Sequence, residues 1–196
     1  MYELPTTVET NCGVLHIRDR GDYRMVLDCF GLLDDVELNE TERVLAGLMI
    51  FYSEFDELET VATYEDIDGA INKMYLFFNC NDTQVGANAH GKVVDWQQDS
   101  TIICSAINNV ANTEVRALEY LHWFTFMGYY MAIGECTFAT VVGIRDKLLQ
   151  GKKLEKFEQD FKRDNPQYFV WNSKSTEQKE ADEWVKKMWN ANKQKK

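Results

Sequence analysis

Proline is almost missing from this chain: two in 196 residues, beside eleven glycines. So little turn chemistry excludes a fold of many short strands joined by tight turns, and leaves helices as the expected element. The five cysteines are odd in number and never spaced C-x-x-C. That excludes a disulfide framework and fits a reducing compartment in which thiols act as small hydrophobes. The chain does not open on a basic stretch followed by an apolar run, so no secretory signal is expected. The longest apolar segment, Tyr120–Ile133, is too short to span a bilayer and contains His122 and Gly128. No membrane association is expected.

Patterns that carry chemistry are missing too. The glycines of Gly86–Gly91 lack a Gly-Lys-Ser/Thr ending and a strand-to-helix setting, which excludes a phosphate loop. His16, His90 and His122 are far apart, and none stands at a metal-ligand spacing. The acidic clusters Asp34-Asp35, Asp56-Glu57-Glu59 and Glu65-Asp66-Asp68 do not alternate around a glycine as a calcium loop does, and read as solvated helix ends. Neither a catalytic residue nor a metal or other cofactor is expected.

What is present is apolar and acidic. Hydrophobic residues make up 45% and aromatics 13%, enough for a real core. The net charge is −11, and Lys174–Lys196 holds seven Lys against four Asp or Glu, so residues 1–173 carry −14. Such a body repels phosphate backbones, and nucleic acid is not an expected partner.

Periodicity predicts a mainly α fold: a compact multi-helix domain around a central apolar helix, with a small N-terminal β-hairpin and an amphipathic C-terminal helix. Thr6–Glu9 and Val14–Arg18 alternate around Gly13 and make the hairpin. Helices are expected from about Gly21 to Leu33, from Asn39 (with Glu42 a capping box), from near Thr63, and from Asp99 or Ser100 to about Asn109. The central helix is expected over about 113–133. A further helix starts at Thr137 and stops at Gly151, and Lys153–Arg163 makes another. The organisation that follows is a helical domain over 1–165, a connector at 166–174, and a basic amphipathic helix at 175–196.

On the central helix Arg116, Glu119, His122 and Thr125 stand three apart, a polar seam expected to satisfy itself by pairing Arg116 with Glu119 and Glu119 with His122. Trp123, Phe124, Phe126, Tyr129 and Tyr130 place five aromatics in eight residues, more than one neighbouring face covers. Trp123, Phe126 and Tyr130 are therefore candidates for binding a partner, as are Trp184, Met188 and Trp189 on the stripe of the last helix.

Leu4-Pro5, Asp22, Asp95 through Asp99, Leu121-His122-Trp123-Phe124 with Phe126, and Ile144-Arg145 occur in an order that resembles the bacteriophage tail assembly chaperones of long-tailed phages and prophages of Gram-positive bacteria. The resemblance covers roughly Leu4 to Phe161. The usual Leu-His-Trp-Trp-x-Phe reads Leu121-His122-Trp123-Phe124-Thr125-Phe126 here, which keeps an aromatic plate and loses one indole donor. The resemblance implies a protein of the host cytoplasm that binds the tape measure protein and keeps it soluble until the tail tube polymerises around it. It points to the tail tube protein as a further partner, while the apolar stripe of the last helix leaves a second copy of the chain, the acidic body or a client to cover it. A structural component retained in the virion, and a metal-binding or enzymatic helical protein, are the alternatives.

Overall fold

Short-range signals account for most element boundaries in the computed structural model, which describes residues 3–11, 13–35, 37–55, 63–83 and 91–171. Strands β1 (Thr7–Thr10) and β2 (Gly13–His16) pair antiparallel, with Val8 opposite Leu15 and Thr10 opposite Gly13. Gly13 takes φ 112, which an L side chain rarely adopts, so the turn needs glycine there.

Helix α1 (Tyr23–Leu33) is capped by the Asp22 carboxylate, which accepts from Arg24 N–H. Reciprocal capping boxes open α2 (Glu40–Phe51), from Asn39 and Glu42, and α3 (Tyr64–Phe78), from Thr63 and Asp66. At the end of α3 the left-handed Cys80 (φ 54) and Asn81 (φ 63) turn the chain, and their N–H groups donate to Phe77 and Leu76 carbonyls. Helices α4 (Ser100–Ala111), α5 (Trp123–Met131) and α6 (Thr137–Leu149) follow. The expected stop is found at Gly151, φ 65, where Gly151 and Lys152 N–H groups donate to Leu148 and Lys147 carbonyls.

The mainly helical class with its hairpin is as expected, but the central helix over 113–133 is not one helix. Asn112, left-handed at φ 53, ends α4. A 3-10 turn at Val115–Ala117 and an extended run to His122 come before α5. Side chains outbid the helix for its own N–H groups: Asn108 accepts from Val115, Glu114 from Arg116, and Asp22 from Leu121. The apolar periodicity runs on, but a helical ladder forms under it only from Trp123.

α1 packs along α2, and α4 packs on α5 and α6. Their common core is aromatic. Trp123 meets Phe30 edge-on at 5.7 Å and stacks near Phe126 at 5.6 Å, and Tyr23 stacks on Phe126 at 4.4 Å. Phe51 closes the other side against Phe77 and Phe78 at 5.3 and 5.6 Å. Tyr52 is fully buried and donates its hydroxyl to the Ala70 carbonyl, while burial pushes its phenol well above the ordinary value.

The chain divides into two compact units, Met1–Lys153 and Leu154–Lys196, a division that falls ahead of the connector at 166–174. The second unit contains α7 (Lys156–Asp164), opened by a Glu155–Glu158 capping box, and a 3-10 turn at Pro166–Tyr168 that sets Phe169 edge-on to Phe161 at 6.4 Å. The expected helix at 175–196, with Trp184, Met188 and Trp189, lies outside the described residues.

Candidate functional site

Four of the motif residues meet at one crossing. Leu121 N–H donates to Asp22 Oδ2 at 2.8 Å, and Tyr23 N–H donates to the Leu121 carbonyl at 2.9 Å. His122 is 1% exposed. Its Nδ1 accepts from Phe124 N–H, so the ring proton sits on Nε2 and is donated to the Pro5 carbonyl at 2.9 Å. Burial holds the imidazole below its ordinary value, against the opposing pull of that carbonyl and of Asp22, and the neutral ring is the form this geometry needs. Arg24 completes the clasp. It donates to both Asp22 oxygens at 3.1 Å and to the carbonyls of Arg116 and Leu118 at 3.2 and 2.6 Å.

The clasp holds a left-handed turn. Asp19, Arg20 and Gly21 take φ 49, 54 and 77 in succession. For the two residues with side chains this costs about 1–2 kcal/mol each, so the surroundings must enforce it. Tyr120 does part of this: its hydroxyl donates to the Arg20 carbonyl at 2.9 Å, and the Arg20 guanidinium lies 5.3 Å above its ring. Gly21 is required twice over. A Cβ there would stand 2.8 Å from Phe77 Cζ and 3.0 Å from His122 Nε2, in a backbone region where it is already strained. Gly21→Ala is expected to cost about 2–4 kcal/mol, strain and overpacking together. Urea unfolding checks this, with Gly31→Ala in α1, where a Cβ meets nothing within 4 Å, as the control expected to gain up to about 1 kcal/mol.

Beside this turn the surface opens into a hollow of about 760 Å³. Met25, Met49 and Ile50 supply its apolar lining, and Asp19, Asp28 and Glu119 stand among the residues around it. The three arginines of the hollow are turned to other uses. Arg18 donates to the carbonyls of Ile50, Met49 and Tyr52 and closes the C-terminal end of α2. Arg24 belongs to the clasp, and Arg20 stacks on Tyr120. Among the described residues, the carboxylates of Asp19, Asp28 and Glu119 accept no hydrogen bond.

A second lock holds α4 to α6. Arg145 Nη1 and Nη2 donate to Asp99 Oδ2 and Oδ1 at 2.6 and 2.9 Å, with side chains 5% and 0% exposed. Nη1 also donates to the Val93 carbonyl at 3.0 Å, and Asp99 accepts from Asp95 N–H at 2.9 Å. Asp99 stands at the N-cap position of α4, but its side chain makes no cap bond because the carboxylate is given to Arg145.

Trp123 and Phe126 are each 1% exposed and belong to the core, so as surface candidates they are corrected. Trp123 Nε1 donates to the Phe78 carbonyl at 3.0 Å. Tyr130 is half-buried between Trp96 and Phe138. The polar seam is also corrected, because its residues share no helix. Arg116 pairs with Glu114, which draws the Glu114 carboxyl down to about 2. Glu119 stands beside the hollow, His122 is in the clasp, and Thr125 is half-buried in α5. Burial, with Asp28 adding to it, pushes the Cys29 thiol up to about 12, and burial raises Cys104 as well, in keeping with thiols that serve as packing. No group of three or more His, Cys, Asp or Glu that could hold a metal ion is assembled among the described residues. No described helix is long and apolar enough to cross a membrane.

What the motif residues define is a helical scaffold held by one clasp and one buried ion pair, with a hollow beside the clasp. The family model described as Bacteriophage Gp15 protein matches residues 2–169, a span that takes in both locks and the hollow. The chain belongs to that bacteriophage family. Comparison with curated proteins and with solved structures gave no match.

Proposed function

We propose that the chain is a tail assembly chaperone, which binds the tape measure protein in the host cytoplasm and keeps it soluble until tail tube subunits polymerise around it. Membership of a bacteriophage family and the motif resemblance support this reading. The observation that carries it is structural. The motif residues Pro5, Asp22, Leu121, His122, Asp99 and Arg145 are all occupied in holding backbone and charge, and the clasp residues lie beside an open surface hollow. A hollow with Met25, Met49 and Ile50 set among charged residues, on an acidic body, suits recognition of an amphipathic helix of a long helical client. Tail tube protein and a second copy of the chain are the further partners on this reading.

The test is co-expression with the tape measure protein of the same phage or prophage. Several-fold more tape measure protein should stay in the soluble fraction when this chain is present. Equal solubility with and without it would sink the chaperone assignment. Purified virions that contain the chain would instead favour a structural tail component.

A further inference from the structure

We infer that the hollow beside the left-handed turn is the client-docking site, and that the segment it receives is an amphipathic helix whose apolar stripe is flanked by Lys or Arg. This rests on the chaperone reading above and adds to it both the place and the chemistry of the contact. At about 760 Å³ the hollow is in the range that takes a cluster of large side chains rather than one. Its apolar lining is soft. Met25 lies beneath the surface, Met49 is 52% exposed, and Ile50 stands between. Methionine adapts its shape to several partners, as a surface that meets different side chains along one long helix must.

Charge selects among occupants. Arg24 is paired with Asp22, whereas Arg18 donates to neutral carbonyls and Arg20 lies over Tyr120, so these two cations keep their charge and stand against three further carboxylates. Asp19, Asp28 and Glu119 are exposed, and among the described residues nothing donates to their carboxylates. A helix entering over Met49 therefore meets acceptors around it, and cations on either side of its apolar stripe are what those acceptors can use. The net charge of −11 draws the same helix from a distance and turns away acidic ones. Tyr120 ties the two parts together. It forms part of the hollow's wall and holds Arg20 in its left-handed conformation, so the strained turn keeps the wall in shape before anything binds.

The experiment compares three full-length chains, each co-expressed with the tape measure protein and then titrated as purified protein with the segment that the wild type retains. Met49→Asp removes apolar lining, and Asp28→Lys with Glu119→Lys reverses the charge around it. All three positions are exposed, so circular dichroism and melting should match the wild type. Both variants should bind at least tenfold more weakly. The charge-reversed variant should recover when flanking Lys residues of the client are changed to Glu. If the wild type retains the client and both variants bind within twofold of it, the docking site is wrong and the chaperone reading stands. If the wild type itself retains nothing, the chaperone reading fails and the docking site fails with it. Loss in Met49→Asp alone, without any response to charge reversal, overturns the basic-flank requirement.

Discussion

Asp99→Ala is expected to destabilise the protein by about 3–5 kcal/mol, because it leaves the buried Arg145 guanidinium without its Asp99 partner. Burial decides the size. An exposed pair such as Arg163 with Asp160 is worth about 0–1 kcal/mol, whereas Asp99 and Arg145 have side chains 0% and 5% exposed. The ion pair itself need not be a large source of stability, since an apolar pair of the same volume is often as good. The informative companion is therefore the double change Asp99→Ala with Arg145→Met. It should recover part of the loss and not all of it, because the Val93 carbonyl and the Asp95 N–H each lose a bond that the pair now supplies. Urea unfolding of the two single changes and the double completes the cycle. A single-change cost below about 1 kcal/mol would show that water or the remaining partners of Arg145 compensate its charge.

Trp123→Ala should cost a similar amount, about 3–5 kcal/mol, through a cavity at the centre of the aromatic core. Its ring touches Phe30, Trp96 and Phe126, which come from separate segments, so no single neighbour can collapse into the space. The Phe78 carbonyl also loses its donor. Trp123→Phe keeps the plate and loses that donor, and is expected to cost roughly 1–3 kcal/mol, the penalty of one unsatisfied buried group. Thermal melts measure both. Under conditions where the alanine variant is still folded it should hold the client as well as the wild type does, whereas Met49→Asp should not. That contrast separates a core aromatic from a binding one.

Element boundaries were legible where their cause is local. Asn39 with Glu42 and Gly151 after Leu149 act within four residues, so the stretch that contains them is enough to read them. The single helix over 113–133 failed for the opposite reason. Its apolar spacing is helical, but the acceptor that draws Leu121 out of line is Asp22, 99 residues earlier in the chain. Distance in sequence also hid the site. Asp99, Arg145, Asp22 and His122 could be singled out by motif, yet their pairings span 46 to 117 residues, and nothing local says which carboxylate meets which cation. Trp123 and Phe126 were misread because five neighbouring aromatics exceed one face. The structure covers them with Tyr23 and Phe30 of α1 and with Trp96 from the segment before α4, all distant in sequence. The hollow had no signal at all, since its lining comes from residues 18–28, 49–50 and 119–120, each ordinary by itself.

The clasp also sets a timetable. Pro5 is separated by 117 residues from the imidazole that binds its carbonyl, so during synthesis the first strand and α1 leave the ribosome well before their partner exists. At about 5–20 residues per second that interval is on the order of ten seconds, long compared with the microseconds in which a helix forms. α1, α2 and α3 can therefore be made and begin to collapse while the left-handed turn is still unenforced, and the turn is set only when Tyr120 and His122 arrive. Long-range closure of this kind slows folding, and the strained step comes last. A nascent chain halted before residue 122 would carry helices with their caps in place and Phe77 without its contacts to His122 and Phe124, which makes the arrival of α5 the event that seals that side of the core.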